Sequence, residues 1–302
     1  MDNHILITGI GGPAGRSAVT YFREKGFPVI GTDIREVETP VESFYIIPPA
    51  GAPSFSTDLI DIIKKERPSL LITTVTEELP VVARLKKIIE GYGCIIFISP
   101  PSAIDIANDK LKTAMVMAGH SVPVPISFDE CTPRESIIRE FGFPLLSKPR
   151  FGRGERGVAL YWKPAELLAE TRTGLVFQEF IPGEEFDVNL FIDKEGDPLS
   201  AVVLKKTRLK DGVVGNSLAV ERVKREDIEQ LGIKIALILR LEGPVDMDIR
   251  LREDGTPVLL EINARLGGNV LSSKEVLDSL FIAWLMEART QLKDISIISQ
   301  SL

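Results

Sequence analysis

Residues 245–269, V-D-M-D-I-R-L-R-E-D-G-T-P-V-L-L-E-I-N-A-R-L-G-G-N, constrain the fold more than any other stretch of the chain. Two alternating runs flank Asp254-Gly255, a pair that tolerates the left-handed backbone of a tight hairpin. With those two residues at the turn centre, Glu253 faces Thr256, Asp248 faces Glu261 and Asp246 faces Asn263. One face then carries Val245, Met247, Ile249, Leu251, Val258, Leu260 and Ile262, and is predicted to be the core face. The other carries Asp246, Asp248, Glu261, Asn263 and Arg265. Directly opposed side chains have Cβ atoms about 4.5–5.5 Å apart, and like charges there destabilise a sheet. Two carboxylates and an amide oxygen so placed suit a hard divalent cation, which takes oxygen ligands. The competing reading is a solvated sheet face with scattered charge.

Length and charge set outer limits. A chain of 302 residues can bury a sizeable core in two or three subdomains. A formal net charge of −7 argues against a general nucleic-acid surface, though not against a local basic pocket for a phosphorylated ligand. Cys94 and Cys131 form no C-x-x-C pair, and free core thiols are expected. The start of the chain, H-I-L-I-T-G, reads as a strand rather than a leader, and no run approaches a membrane span. A cytoplasmic protein is expected. His4 and His120 are the only histidines, so a histidine-dependent triad or a zinc site is not expected.

The first hundred residues alternate strand and helix. Ile5–Thr8 leads into G-I-G-G-P-A-G (Gly9–Gly15), Pro13–Lys25 has helical spacing, and Asp33 ends the next strand. This β-α-β unit is either a dinucleotide site, with helix N–H groups cradling phosphate, or a tight crossover that binds nothing. Strands at Phe44–Ile47, Leu70–Val75 and Cys94–Ser99, with helices at Thr57–Glu66 and Glu78–Glu90, predict a parallel sheet covered on both faces. Ligands of such sheets lie beyond the carboxyl ends of the strands, which draws attention to Thr73, Thr74, Thr76, Glu77 and Glu78. Thr76 is expected to cap the helix that follows.

Lys110 falls in the first turn of a predicted helix ending near Ala118, where the helix dipole disfavours a cation. Either an anionic ligand or solvent can account for it. Phe143–Lys148 is a strand, followed by P-R-F-G-R-G-E-R-G-V (Pro149–Val158). A hinged, basic, glycine-rich hairpin can close over polyphosphate; an exposed flexible turn is the plainer reading. Leu175–Ile181 is a strand that stops at Pro182-Gly183 and offers backbone donors and acceptors to a flat heterocycle. Lys224–Leu241 and Ser272–Ala288 are helices, with Phe281 and Trp284 of the second expected to pack. Lys210–Asn216 is expected to be a polar loop, and residues 290–302 a loosely held tail.

Taken together, N-D-K (108–110), F-P-L-L-S-K-P with its glycine-rich follower (143–157), Q-E-F-I-P-G-E-E (178–185) and D-M-D…L-L-E-I-N-A-R (246–265) resemble the ATP-grasp superfamily over about Ser102 to Ala288. The α/β segment before them is similar to the one that precedes this fold in the carbamoyl phosphate synthetase large chain. The resemblance implies roles. Lys110 and Lys148 would contact ATP phosphates beneath a mobile lid that includes Gly152 and Gly154. The Glu179 carbonyl and Ile181 amide would read adenine, with Gln178 beside them. Glu185, or Glu184 next to it, would take the ribose. Asp248, Glu261 and Asn263 would hold Mg²⁺, with Mn²⁺ possible, and Arg265 would face the transferred phosphoryl group. Some members carry arginine where Asp246 stands, so the missing positive charge would come from Lys205, Lys206 or Arg208.

The fold expected from this is α/β and α+β. A Rossmann-like parallel sheet over 1–105 precedes a two-lobed ATP-grasp domain, with a small lobe and lid over 106–183 and a large lobe over 184–302. The expected activity is an ATP-dependent, ADP-forming carboxylate–amine ligase working through an acyl phosphate, with Arg265 and Lys148 catalytic. Its partners would be small-molecule carboxylates and amines, with a homodimer possible and neither nucleic acid nor membrane involved. The alternatives are carboxyphosphate chemistry on bicarbonate, a non-catalytic ATP-binding subunit, and a nicotinamide-dependent dehydrogenase built on Gly9–Gly15. The last leaves the Lys148 loop and the hairpin unexplained.

Overall fold

A computed structural model describes residues 3–152, 157–212 and 214–300. The chain opens with β1 (Ile5–Thr8), α1 (Pro13–Glu24), β2 (Val29–Asp33), β3 (Ser43–Ile46), α2 (Phe55–Glu66), β4 (Leu70–Ile72), α3 (Leu79–Gly91) and β5 (Ile95–Ile96). The five strands form one parallel sheet in the order β3-β2-β1-β4-β5. Its strand interiors are almost wholly apolar, as a sheet covered on both faces requires. Strand order reverses between β1 and β4, so the sheet's ligand-facing crevice lies at Gly9–Gly15 and Thr73–Glu78.

Next come α4 (Pro101–Ala107), α5 (Lys110–Gly119), β6 (Ser127–Asp129), α6 (Arg134–Phe141), β7 (Leu145–Pro149), β8 (Ala159–Tyr161), α7 (Pro164–Leu168) and β9 (Leu175–Glu179). Their four strands form an antiparallel sheet, β6-β9-β7-β8, over a small core of Ile137, Leu145, Leu167 and Phe177. The remaining elements are β10 (Glu185–Ile192), β11 (Pro198–Asp211), β12 (Val214–Val223), α8 (Glu226–Leu239), β13 (Gly243–Leu251), β14 (Pro257–Asn263) and α9 (Lys274–Gln300). These strands form a second antiparallel sheet, β12-β11-β10-β13-β14. Strands β11 and β12 run through much of the segment expected to be a polar loop, and pairing extends to Asp211 and Val214. Likewise α9 continues to Gln300, where a loose tail was expected.

Helix α8 packs on the β10 side of the second antiparallel sheet, and the common core joins Val188, Leu190, Ile235, Met247 and Ile262 to residues of the parallel sheet. Helix α9 closes the other face of the parallel sheet. Trp284 is buried among Phe27 and α1 side chains, and its Nε1 donates to the Ser69 carbonyl at 3.3 Å. Cys94 is buried as expected, whereas Cys131 is exposed and not a core thiol. Among the described residues no helix is long and apolar enough to cross a membrane.

The β13–β14 hairpin differs from its expected form in two places that cancel. The loop has three residues, Glu253-Asp254-Gly255, closed by Arg252 N–H to the Thr256 carbonyl at 2.9 Å. Gly255 is left-handed (φ 84°), the arrangement of a type I turn followed by a glycine. Near the turn Leu251 therefore faces Pro257, Arg250 faces Val258 and Ile249 faces Leu259. A β-bulge at Leu260 then restores the expected pairs, Asp248 with Glu261 and Asp246 with Asn263. Leu259, 1% exposed, takes the core face here; Val258 is 0% exposed but shares the opposite face with Arg250, and Leu260 lines a cleft. Placing Val258 and Leu260 on the core face was thus an error of one residue.

Candidate functional site

The cleft lies between the two antiparallel sheets. Lys110, Lys148, Gly152, Gln178, Glu179, Ile181, Glu185, Asp248 and Glu261 all line it, although they come from five separate stretches of chain. Asn263 and Arg265 lie next along β14 and its exit. Gly154 lies outside the described residues. Pro125, Leu146, Val158, Phe151 and Leu260 complete an apolar wall to which the sequence reading gave no role.

Local structure explains how each group is held. Asp109 caps α5, its carboxylate accepting from the N–H groups of Leu111 and Lys112 at 3.1 Å each. The same carboxylate takes both Nε and Nη2 of Arg150, at 2.8 and 2.7 Å, which ties the start of α5 to the start of the glycine-rich loop. Lys110 follows at once. Its Nζ donates to the Gly152 carbonyl at 2.8 Å and lies 3.3 Å from Glu261 Oε1. Lys148 leaves β7 with its Nζ donating to the Leu260 carbonyl at 3.3 Å. Burial, together with the charge of Lys110, pushes its pKa down to about 8, against the pull of Glu261.

At the other end of the cleft β9 gives way to the Pro182-Gly183 turn. Gln178 Nε2 donates to Ser127 Oγ at 2.7 Å, and the Glu179 carboxylate is clamped by Arg252, so both side chains are held while the backbone lies along the cleft. Glu185 is 5% exposed and faces inward. Glu184 is exposed and paired with Lys205, so of the two only Glu185 lines the cleft.

The charged face of the large sheet is not solvated. Asp187 is 3%, Asn189 1%, Asp246 8% and Asn263 5% exposed, which removes the scattered-charge reading. Lys206 supplies the positive charge that Asp246 does not. Its Nζ donates to Asp248 at 2.5 Å and Glu185 at 2.6 Å, and lies 3.0 Å from Asp187. Lys205 turns outward to Glu184, and Arg208 is exposed. Burial would lower the Lys206 pKa, but the three carboxylates outweigh it and hold the ammonium form. Burial raises Asp248 too, but Lys206 outweighs it and the net shift is down. Asp246 goes the other way. Burial and the neighbouring Asp248 charge lift it to about 7, and its Oδ1 has no hydrogen-bond partner.

These residues fit a magnesium ion of one particular kind. Among the described residues no three His, Cys, Asp or Glu side chains converge into a closed cage. Asp248 and Glu261 instead face each other across the ladder as two hard oxygen donors opening onto the cleft. Asn263 Oδ1 accepts from Arg265 Nη2 at 3.2 Å. Such an open set suits an ion that takes its remaining ligands from water and phosphate oxygens.

Arg265 joins this face to the parallel sheet. Its Nε donates to Thr76 Oγ1 at 3.0 Å and its Nη1 to the Leu266 carbonyl at 2.6 Å. Thr76 therefore does not cap α3 with its side chain, as had been expected, but receives Arg265 at the crevice where strand order reverses. The glycine-rich turn at the same crevice is closed by its own residues. Asp33 Oδ2 accepts from the Gly11 N–H at 2.9 Å, and a Cβ on Gly15 would lie 2.3 Å from the Gly9 carbonyl oxygen.

A parallel sheet of this order, two antiparallel sheets and a lysine-lined cleft ending on a carboxylate ladder define a nucleotide-binding class of fold. The ATP-grasp domain matches residues 107–269, more than half of the chain, and the chain belongs to that family. It is similar to the carbamoyl phosphate synthase large chain of Xylella fastidiosa (strain 9a5c), with 23% identity over 234 residues, 70% of this chain and 22% of that one. The chain thus spans about a fifth of the length of the curated relatives it first matches. Among solved structures, L-amino acid ligase from Bacillus licheniformis superposes with a TM-score of 0.67 at 21% identity, covering 89% of this chain and 68% of that one. The biotin carboxylase domain dimer of Hydrogenobacter thermophilus 2-oxoglutarate carboxylase, in complex with MgADP, ADP and bicarbonate, gives 0.68 at 18% identity, covering 89% and 65%.

Sequence reasoning missed Arg250, Lys206's exact role and the Asp109–Arg150 pair. Arg250 had a signal: it shares the parity of Asp246 and Asp248, which puts it on the charged face.

Proposed function

We propose that the chain is an ATP-dependent ligase that joins a carboxylate to an amine through an acyl phosphate, releasing ADP and phosphate. One observation carries the reading: two buried lysines from the small sheet and its flanking helix meet the Asp248–Glu261 ladder of the large sheet within a single cleft. Adenine lies against the 179–181 backbone and the ribose against Glu185. Lys110 and Lys148 face the phosphates, and at neutral pH Lys148 keeps its charge because its pKa stays near 8. Asp248, Glu261 and Asn263 would hold Mg²⁺, or Mn²⁺ in its place, which would supply charge neutralisation for phosphoryl transfer. Arg265 steadies the acyl-phosphate oxygens with its planar fork. The amine arrives from the Thr74–Glu78 crevice, and the Arg265–Thr76 hydrogen bond supports that route.

In this reading the three sheets mark three domains, 1–105, 106–183 and 184–302. The test is an ADP-release screen over carboxylate and amine pairs, with Glu261→Gln as the control. Release that needs both substrates supports the ligase. Release driven by bicarbonate alone moves the reading to carboxyphosphate chemistry, and tight ATP binding without any release moves it to a binding subunit.

A further inference from the structure

Arg250 has no role in the reading above, yet it sits at the crossing of the two features that would hold a nucleoside. It is 5% exposed and stands two residues beyond Asp248 on the same face of β13. Glu185 lies directly across on β10 and Val258 across on β14. Its Nε donates to Glu185 Oε2 at 2.6 Å, and its Nη1 donates to the Ile181 carbonyl at 3.0 Å. The guanidinium carbon lies 5.7 Å from the centre of the Phe180 ring. The second carboxylate oxygen, Glu185 Oε1, accepts from Lys206 at 2.6 Å, and Lys206 goes on to Asp248 at 2.5 Å. A continuous hydrogen-bonded chain therefore runs from the Ile181 carbonyl through Arg250, Glu185 and Lys206 to the Asp248 carboxylate.

We infer that Arg250 is a positioning residue for the nucleoside: it sets the Glu185 carboxylate and the Ile181 peptide in one fixed relation, so that ribose and base are read by parts that move together. The inference rests on the nucleotide reading of the cleft. Its physical basis is the shape of the guanidinium. The donors of an arginine point in fixed directions, so the bond to Glu185 determines where Nη1 meets Ile181. A lysine keeps the charge but is a point donor on a flexible stem and cannot reproduce the fork. Without the fork, Glu185 is drawn toward Lys206 and turns from the ribose toward Asp248. An ion pair that only held the sheet together would change stability and leave the preference for ribose alone.

The experiment is calorimetric titration of ADP and of 2′,3′-dideoxy-ADP into the wild type and Arg250→Lys, with Arg250→Met as a second variant and apo melting recorded for all three. The wild type is expected to prefer ADP about tenfold or more, the scale of hydrogen bonds to a charged group. In Arg250→Lys, ADP binding weakens about tenfold and the preference falls below about threefold. A preference that stays tenfold in the variants, whatever their absolute affinity, overturns the inference and leaves Arg250 as a sheet brace. A wild type that binds ADP without preferring it also overturns the inference, while the nucleotide reading stands. A wild type that binds neither nucleotide brings down both. If Arg250→Met fails to fold, Arg250→Lys still decides, because the buried charge is kept.

Discussion

Two glycine-rich strand exits in this chain look alike in sequence and are built in opposite ways. The Gly9–Gly15 turn after β1 is closed by its own neighbours: Asp33 takes the Gly11 N–H, and Gly15 is pressed against the Gly9 carbonyl. The exit after β7 instead carries Lys148 into the cleft, and its Gly152 carbonyl receives Lys110. Glycine supplies close approach in the first, at Gly15, and a positive φ of 113° in open space at Gly152 of the second. What separates them is the sign of the nearby charge. A carboxylate beside the first turn satisfies its donors and repels phosphate, whereas buried ammonium groups beside the second attract it. A glycine-rich turn thus marks a backbone that side chains would obstruct or strain, and the charges around it decide which ligands suit it.

Four variants would break or sharpen this contrast. The largest effect is expected from Glu261→Gln, which should lower turnover by about 10²–10³-fold with the fold intact, checked by ADP release against circular dichroism. Lys148→Met comes next, with nucleotide affinity falling about 10–100-fold by calorimetry. The same change should stabilise the apo protein at pH 7 by up to about 3 kcal/mol, because a buried ammonium with a depressed pKa opposes folding. The unfolded lysine holds its proton to about 10.5 and the folded one only to about 8. Wild-type stability should therefore rise with pH across that window, and the advantage of the methionine should fade there; melting curves at pH 7 and pH 10 decide. Asp33→Ala should cost about 1 kcal/mol of stability by denaturant titration and leave ADP affinity within about twofold. An affinity change there would reopen the first turn as a ligand site. Gly255→Ala, at φ 84° on the hairpin loop, should cost about 1 kcal/mol and leave turnover unchanged.

Much of the site was legible because alternation fixes which side chains share a face. Asp248, Glu261 and Asn263 needed the period of two and a loop and bulge that offset each other, and Lys148 needed only its place at the end of an apolar strand. The loop and the bulge were not legible singly. Each moves the register by one residue, and the apolar run V-L-L leaves either leucine able to face the core. The choice of Lys206 over Lys205 and Arg208 lay beyond reach for a different reason: its partners Glu185, Asp187 and Asp248 belong to two other strands, so it is settled only when the order β11-β10-β13 is known. Thr76 followed a local rule for helix starts, and a long-range partner 189 residues away, Arg265, overrode it.

The bulge at Leu260 has a consequence for how this hairpin tolerates change in length. One extra residue in the loop and one in the strand offset each other, so neither can be lost alone without turning Glu261 and Asn263 away from Asp248 and Asp246. Relatives with a two-residue loop are expected to carry a regular β14, and relatives with a three-residue loop to keep the bulge. Insertions and deletions here should therefore arrive in pairs.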